Sequence, residues 1–375
     1  MTQPPLTRRR FAGALGAALG GAVVRPSPAA AAPRPAPGGG GVNLSSNENP
    51  YGPSPAALAA MTRSQAVAGR YPDADEDATV QAIARLHGVS PDRVVLGCGS
   101  SEVLRLCDAA FLGPGRTVVA AQPTFEAVLI YAKVTQAEPV TVPLTADFRH
   151  DLPAMARSCD ARTGLVYVCN PNNPTGTIVT GDELETFLGR VPATTTVVVD
   201  EAYHHFVEDP AYRSAVGMID RFPNVVVART FSKIYGMAGM RLGYAMASVA
   251  NAQRLRQHAS FSNANAAVLA AALASLADEG LVARQREKLN ATRRWLVEAL
   301  AREGRRTIPS ETNFVMIDAG SDVKPLIEAL AARGVRVGRR FAALPTWLRV
   351  TIGTPEETRA FLEALRAALP ARAAA

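Results

Sequence analysis

From Val42 onward the sequence predicts an α/β fold, with a large domain on a mostly parallel sheet and then a smaller α+β C-terminal domain. Two observations predict the first part. Short β-branched runs alternate with helix-like segments, the order that builds a parallel sheet through crossover helices. The runs are apolar along their whole length, as expected of strands covered on both faces. A third observation separates the second part. After Asn265 a long helical stretch is followed by three shorter patterned segments, which suits a unit of its own.

The elements follow in order. "DRVVLGCG", "RTVVAAQPT", "TGLVYVCNP", "TTTVVVDEAY" and "NVVVARTFS" read as strands that end in turn or polar residues. "SSEVLRLCDAAFLG" and "GDELETFLGRV" read as helices between them. A long helix is expected through "REKLNATRRWLVEALAREG", and "NFVMID", "LIEALAARGVRVG" and "WLRVTIG" complete the smaller unit. The expected organisation is an export signal with linker at 1–41, an N-terminal arm at 42–70 packing on the small domain, a large domain at 71–270 and a small domain at 271–375. No internal repeat is visible.

The 375 residues suffice for two domains, and 48% hydrophobic against 19% charged content excludes a disordered chain. Of the net charge of +7, five units come from Arg8, Arg9, Arg10, Arg25 and Arg34, with no acidic residue among them. The rest of the chain is left at +2 and has no basic run with interleaved aromatics, so no nucleic-acid partner is expected.

The basic cluster precedes an apolar run from Phe11 to Val24. That run is too short and too weakly apolar for a stable membrane span. "PSPAAAAPRPA" then offers small residues suited to cleavage, and "RPAPGGGG" reads as a linker. Thr7-Arg8-Arg9-Arg10-Phe11 resembles a twin-arginine export signal, read by the export machinery. The expectation is export to the periplasm or beyond, the alternative being a basic tail on a cytoplasmic protein.

Cys98, Cys107, Cys159 and Cys169 show no CxxC or zinc-type spacing and are expected to be buried free thiols. His204 and His205 are adjacent, so on a strand their rings would point to opposite faces. No metal site is expected.

In such sheets ligands collect beyond the carboxyl ends of the strands. "GCGSSE" (97–102) follows a strand and opens a helix, so backbone N–H groups with Ser100 and Ser101 suit a phosphate, or form an ordinary N-cap and turn. Glu102 stands where a dinucleotide fingerprint needs its third glycine, which disfavours a nucleotide-binding dehydrogenase. "NPNNPTG" (170–176) is a plain turn or a loop that holds a ligand through its amides. Asp200 ends an apolar strand and needs a cationic partner, either a structural salt bridge or a protonated ring nitrogen. Tyr203 is placed to donate to a nearby oxygen. In "RTFSKIYGMAGMRLGY" (229–244), Lys233 and Arg241 lie eight residues apart, with Gly236 and Gly239 between them for a close turn. The set suits pyridoxal phosphate, which needs a lysine for its aldehyde, a carboxylate for its ring nitrogen and a cradle for its phosphate.

In order along the chain, G-x-G-S-S-E, N-N-P-T-G, V-V-D-E-A-Y, T-F-S-K with Arg241, and W-L-R-V-T-I-G resemble the class I/II, fold-type I pyridoxal-phosphate-dependent aminotransferases. "LSSNENPYGPSP" and "RYPD" place the resemblance in the histidinol-phosphate aminotransferase branch, from Val42 to about Pro355. The resemblance implies that Lys233 bonds the cofactor aldehyde and then shuttles the substrate proton. It implies that Asp200 pairs with the ring nitrogen, and that Asn173 and Tyr203 bond the ring oxygen. Phe125 would stack on the ring. Ser100, Ser101, Thr230, Ser232 and Arg241 would hold the phosphate, and Arg349 the substrate carboxylate or its counterpart. Tyr71 would reach the phosphate in a neighbouring subunit of a homodimer, and Asn47 and Tyr51 would line the substrate entrance.

The resemblance departs at "GVRVGRRF", where Gly338 takes the position that commonly carries a substrate-recognising arginine. Arg339 and Arg340 follow, and either is open to that role. The expected activity moves an amino group between an amino acid, or a histidinol-phosphate-like amine, and a 2-oxo acid. The alternatives are a lyase or decarboxylase on the same fold, and a non-catalytic exported protein that keeps the cofactor. Histidinol phosphate is a cytoplasmic intermediate, so an export signal leaves the amine open.

Overall fold

Alternate residues of the central strands belong to different hydrophobic cores, and this divides the protein into layers. Val119, Val166, Val168, Val197, Val199, Val225 and Val227 pack into one core. Their neighbours Val118, Leu165, Tyr167, Val198 and Val226 pack into another on the opposite face. A strand whose two faces are both buried must be apolar throughout, which is why these runs carry no polar alternation.

The computed structural model describes residues 41–369. The expected export signal and linker therefore fall, through residue 40, outside the described residues. The strands are β1 Val42–Leu44, β2 Val94–Gly97, β3 Thr117–Gln122, β4 Glu138–Pro143, β5 Thr163–Cys169, β6 Thr196–Asp200, β7 Val225–Thr230 and β8 Gly243–Ala247, followed by β9 Thr307–Ile308, β10 Phe314–Asp318, β11 Val335–Val337 and β12 Trp347–Thr351. The seven-stranded sheet has the order β2-β8-β7-β6-β5-β3-β4, and β8 runs antiparallel to both its neighbours. The other pairings in that sheet are parallel. The sheet is thus mostly parallel, as predicted.

Two of its strands, β4 and β8, are not among the predicted runs. β4 is an edge strand that carries Pro139 and Pro143, residues tolerated where one side of the ladder is unpaired. β8, "GYAMA", has small residues in place of β-branched ones. One reason is local: a Cβ on Gly243 would overlap the backbone of Gly99 and Ser100.

The C-terminal part holds the three-stranded antiparallel sheet β12-β10-β9 and the helices Leu281–Arg302, Lys324–Ala332 and Pro355–Ala368. The last helix starts with a capping box, Thr354 with Glu357, and a proline in its first turn. The N-terminal segment joins this part through β1, which pairs in parallel with β11. The helix Pro55–Ser64 packs instead against Ala266–Leu276. The helical stretch after Asn265 is not one helix. It breaks at Ala277–Gly280 and turns by 86° between Ala266–Leu276 and Leu281–Arg302.

Two sequence expectations are corrected here. Cys107 and Cys169 are buried and Cys159 is half-buried, but Cys98 is exposed in the turn that opens the helix Ser100–Phe111. His204 and His205 lie on a short 3-10 turn, not on a strand, so their rings meet edge to face with centroids 5.0 Å apart.

A buried ion pair locks the ends of β6 and β7. Arg229 donates to Glu201 Oε2 from Nε at 3.0 Å and from Nη2 at 2.7 Å, and Nη2 also reaches Ser214. Both side chains are almost wholly buried. Removing one partner of such a pair strands the other's charge, at a cost of about 3–5 kcal/mol. The pair sits one residue beyond Asp200 and one before Thr230, so it holds two strand ends in register at the site.

Candidate active site

The carboxyl ends of β3, β5, β6 and β7 open on one cavity of about 510 Å³. Twelve of the fourteen residues singled out in the sequence line it: Asn47, Ser100, Ser101, Phe125, Asn173, Asp200, Tyr203, Thr230, Ser232, Lys233, Arg241 and Arg349. Tyr71 and Tyr51 do not.

At one end lies a cradle. Ser100 and Ser101 begin the helix Ser100–Phe111, whose free N–H groups point at the cavity end. Gly99 precedes them at φ +78°, and a Cβ there would overlap the Arg241 guanidinium. Arg241 itself has φ 64°, a left-handed conformation uncommon for a non-glycine residue. That backbone turn brings Arg241 Nη1 to Ser232 Oγ at 3.3 Å and to the Ala238 carbonyl at 2.9 Å. Glu102 closes the loop, accepting from the Cys98 N–H at 2.6 Å and from Asn263 Nδ2 at 2.7 Å. Thr230 lines the same end. Its hydroxyl accepts from the Ser232 N–H at 3.0 Å, so it shapes the turn that presents Ser232.

Asp200 is 2% exposed at the end of β6. Tyr167 Oη donates to its Oδ2 at 2.8 Å, and the Ala202 N–H donates to Oδ1 at 3.1 Å. Burial raises its carboxyl to about 6, against these two hydrogen bonds. It therefore remains an anion at neutral pH and is suited to a cationic ring N–H. Tyr167 was absent from the sequence reading. The signal was present, since in parallel register Cys169 lies beside Asp200 and Tyr167 is two residues before it on the same face.

Lys233 Nζ donates to the Asn47 carbonyl at 2.9 Å and lies 5.5 Å from the centre of the Tyr203 ring. Burial, and then the positive charge of Arg349, lower its amine from 10.5 to about 8. Tyr203 Oη accepts from Asn47 Nδ2 at 3.0 Å. Asn47 is held at φ 54° by the C-terminal strands: its N–H reaches Thr351 Oγ1 at 2.9 Å, and its carbonyl accepts from Asn313 Nδ2 at 3.1 Å. Asn313 and Thr351 were also missed, because each is more than 260 residues from its partner.

Arg349, 9% exposed, donates to Asn173 Oδ1 at 2.6 Å and to the Ser45 carbonyl at 3.0 Å. Its Nε is buried without a partner, a donor that a ligand oxygen would satisfy. Arg339 lines the cavity mouth and pairs with Glu126 at 2.7 Å, whereas Arg340 turns away to Asp322.

Tyr51 lies outside that lining: Lys288 Nζ is 5.1 Å from its ring centre, and next to it the Gly52 N–H donates to the Asn49 carbonyl at 3.1 Å in a turn. That turn is fixed by Gly236, whose Cβ would overlap the Gly52 carbonyl, so Gly236 is required for close approach. Gly239 is not, since a Cβ there would meet nothing within 4 Å. Tyr71 is 83% exposed.

The donor set fits a phosphate-bearing pyridine aldehyde, with hydroxyls and a guanidinium for the phosphate, a buried carboxylate for the ring nitrogen, and an amine of lowered pKa. The family described as "Aminotransferase class I and II" matches residues 40–365. The chain is 43% identical over 324 residues to the histidinol-phosphate aminotransferase of Symbiobacterium thermophilum, spanning 86% of this chain and 89% of that one. It is 38% identical over 327 residues to the aromatic amino acid aminotransferase of Cutibacterium acnes, spanning 86% and 91%. The solved histidinol-phosphate aminotransferase from Sinorhizobium meliloti, in complex with pyridoxal-5'-phosphate, aligns with a TM-score of 0.82 at 29% identity, covering 88% of this chain and 90% of that one.

The lowered amine gives a pH prediction. The neutral, nucleophilic form of Lys233 grows as pH rises through about 8. In cofactor-free protein, the rate at which pyridoxal 5'-phosphate attaches should rise from pH 7 and level off above about 8.5. Stopped-flow absorbance measures it. Arg349→Gln removes a neighbouring positive charge and should move the midpoint upward; a wild-type midpoint near 10 would contradict this electrostatic picture.

Proposed function

Because the chain belongs to the class I and II aminotransferase family and is a pyridoxal 5'-phosphate-dependent transaminase, we propose that the residues of this cavity carry its amino transfer, with Lys233 as the proton-moving group. The amino group passes between an amino acid, or an amine resembling histidinol phosphate, and a 2-oxo acid. One observation supports the assignment of roles: an amine of lowered pKa, a buried carboxylate and a hydroxyl–guanidinium cradle open on the same cavity.

When bound, the cofactor supplies an aldehyde that takes up the amine and a ring that stores the electron pair released at the substrate Cα. Asp200, ionised at neutral pH, holds the proton on the ring nitrogen, and Tyr167 and the Ala202 N–H fix that carboxylate in place. Lys233 Nζ takes the proton from the substrate Cα, which its lowered pKa permits near neutrality. Arg349 orients the substrate through its anionic group, using the Nε that lacks a partner in the chain. Tyr203 and Asn173 would bond the ring oxygen, and Phe125 would cover the ring face. Arg241, Ser232, Thr230, Ser100 and Ser101 would hold the phosphate.

The working form is proposed to be a homodimer in which Tyr71 reaches the cofactor phosphate of the partner subunit. Its 83% exposure, away from its own cavity, supports this. The protein is further proposed to leave the cytoplasm through a twin-arginine signal. Arg8, Arg9 and Arg10 ahead of the apolar run to Val24 support that reading.

Three experiments test these proposals. Lys233→Ala should lose amino transfer by at least about a thousandfold, the scale expected of a general base together with a covalent anchor. Tyr71→Ala should weaken cofactor retention, and mixing the two variants should restore part of the turnover, since one shared site is then intact. Retained transfer in Lys233→Ala sinks the catalytic assignment, and failure of mixing to rescue sinks the shared site. Separately, Arg8→Lys with Arg9→Lys should trap the protein in the cytoplasm, measured by fractionation; unchanged export would count against the signal.

A further inference from the structure

The anion end of the cavity is built on one aromatic ring. The Arg339 guanidinium lies 4.5 Å from the centre of the Phe341 ring, and that of Arg349 lies 5.2 Å from it. The two cations are not equivalent. Arg349 is buried and keeps an unpartnered Nε. Arg339 is half exposed and donates from Nη2 to Glu126 Oε2 at 2.7 Å, across the cavity mouth.

Gly338 leaves no room for a third cation at its own position. Gly338 donates its N–H to the Arg349 carbonyl at 2.9 Å. A Cβ on Gly338 would sit 2.8 Å from that oxygen and 3.2 Å from Arg349 Nε. A long side chain at this position is therefore excluded by the Arg349 backbone itself. Arg340 is engaged by Asp322.

The charge follows from these contacts. Arg349 and Arg339 are both positive, and Glu126 cancels one of them, so the anion end is left with a net charge of one. Glu48 also lines the cavity, but its charge acts on Lys233. A carboxylate of charge −1 is matched by this end. A phosphate monoester carries about −1.5 to −2 at neutral pH. To use Arg339 it must displace Glu126, and the freed carboxylate then stands beside the dianion. The pair itself is exposed and easily opened; the penalty is the repulsion between the Glu126 carboxylate and a dianion beside it.

We propose that Glu126 is a specificity-determining residue: by holding Arg339 it sets the charge facing the substrate's anionic end, and the enzyme selects amines that carry a carboxylate over amines that carry a phosphate there. The inference rests on the transaminase reading above.

Matched substrate pairs test it. Histidine and histidinol phosphate share a side chain and differ in the anionic end, as do phenylalanine and phenylalaninol phosphate. Single half-reactions on the holoenzyme, followed by the absorbance of the bound cofactor, should favour the carboxylate member of each pair by about tenfold or more. Glu126→Gln should shift that ratio toward the phosphate member by about two- to fivefold. The gain should vanish in Glu126→Gln with Arg339→Gln. Dissociation constants on cofactor-loaded Lys233→Ala, measured by calorimetry, should move in the same sense. A wild-type preference for the phosphate members, or a ratio unmoved by Glu126→Gln, overturns the inference and leaves the transaminase reading standing. Conversion of none of the four amines also overturns this inference; the transaminase reading falls separately, if no amino acid converts the bound cofactor.

Discussion

A carboxylate buried at the end of an apolar strand is the constraint on which the site depends. Asp200 and Glu201 are consecutive acids at the end of β6, and the strand's alternation sends them to different fates. Glu201 is neutralised within the chain by Arg229, and that pair ties β6 to β7. Asp200 receives only neutral donors, Tyr167 Oη and the Ala202 N–H, and no ion pair among the described residues. A charge left in that state inside a protein is costly unless a cation arrives. The site therefore holds a place for a protonated ring.

The other elements meet that end of the sheet from three directions. The helix Ser100–Phe111 brings its N-terminus, and the turn between β7 and β8 brings Lys233 and Arg241. The C-terminal sheet brings Arg349 on β12, and through Asn313 and Thr351 it pins Asn47 under the Lys233 amine. Small residues at Gly99, Gly236 and Gly243 are the points where backbone or guanidinium must pass within contact distance.

Much of this was legible in the sequence because it is local. The β-branched runs announced β2, β3, β5, β6 and β7, and the polar residues just beyond them included Asp200, Asn173 and Lys233. What escaped was of two kinds. β8 and β4 lacked the usual strand signal, one for small residues and one for edge prolines. Tyr167 was hidden inside a run that reads as core, and only the β5–β6 register reveals its neighbour. The Glu126–Arg339 pair joins residues 213 positions apart, and nothing local marks either one. Tyr51 sits in a local motif, and its ring lies by Lys288 rather than among the cavity-lining residues.

The central claim is that Asp200 keeps a proton on the cofactor's ring nitrogen. The direct measurement is nitrogen NMR of the holoenzyme loaded with ring-labelled pyridoxal 5'-phosphate, recorded from pH 6 to 8. The account predicts a protonated ring nitrogen throughout in the wild type, and loss of that proton in Asp200→Asn. An unprotonated ring in the wild type, or a signal that Asp200→Asn leaves unchanged, would contradict it.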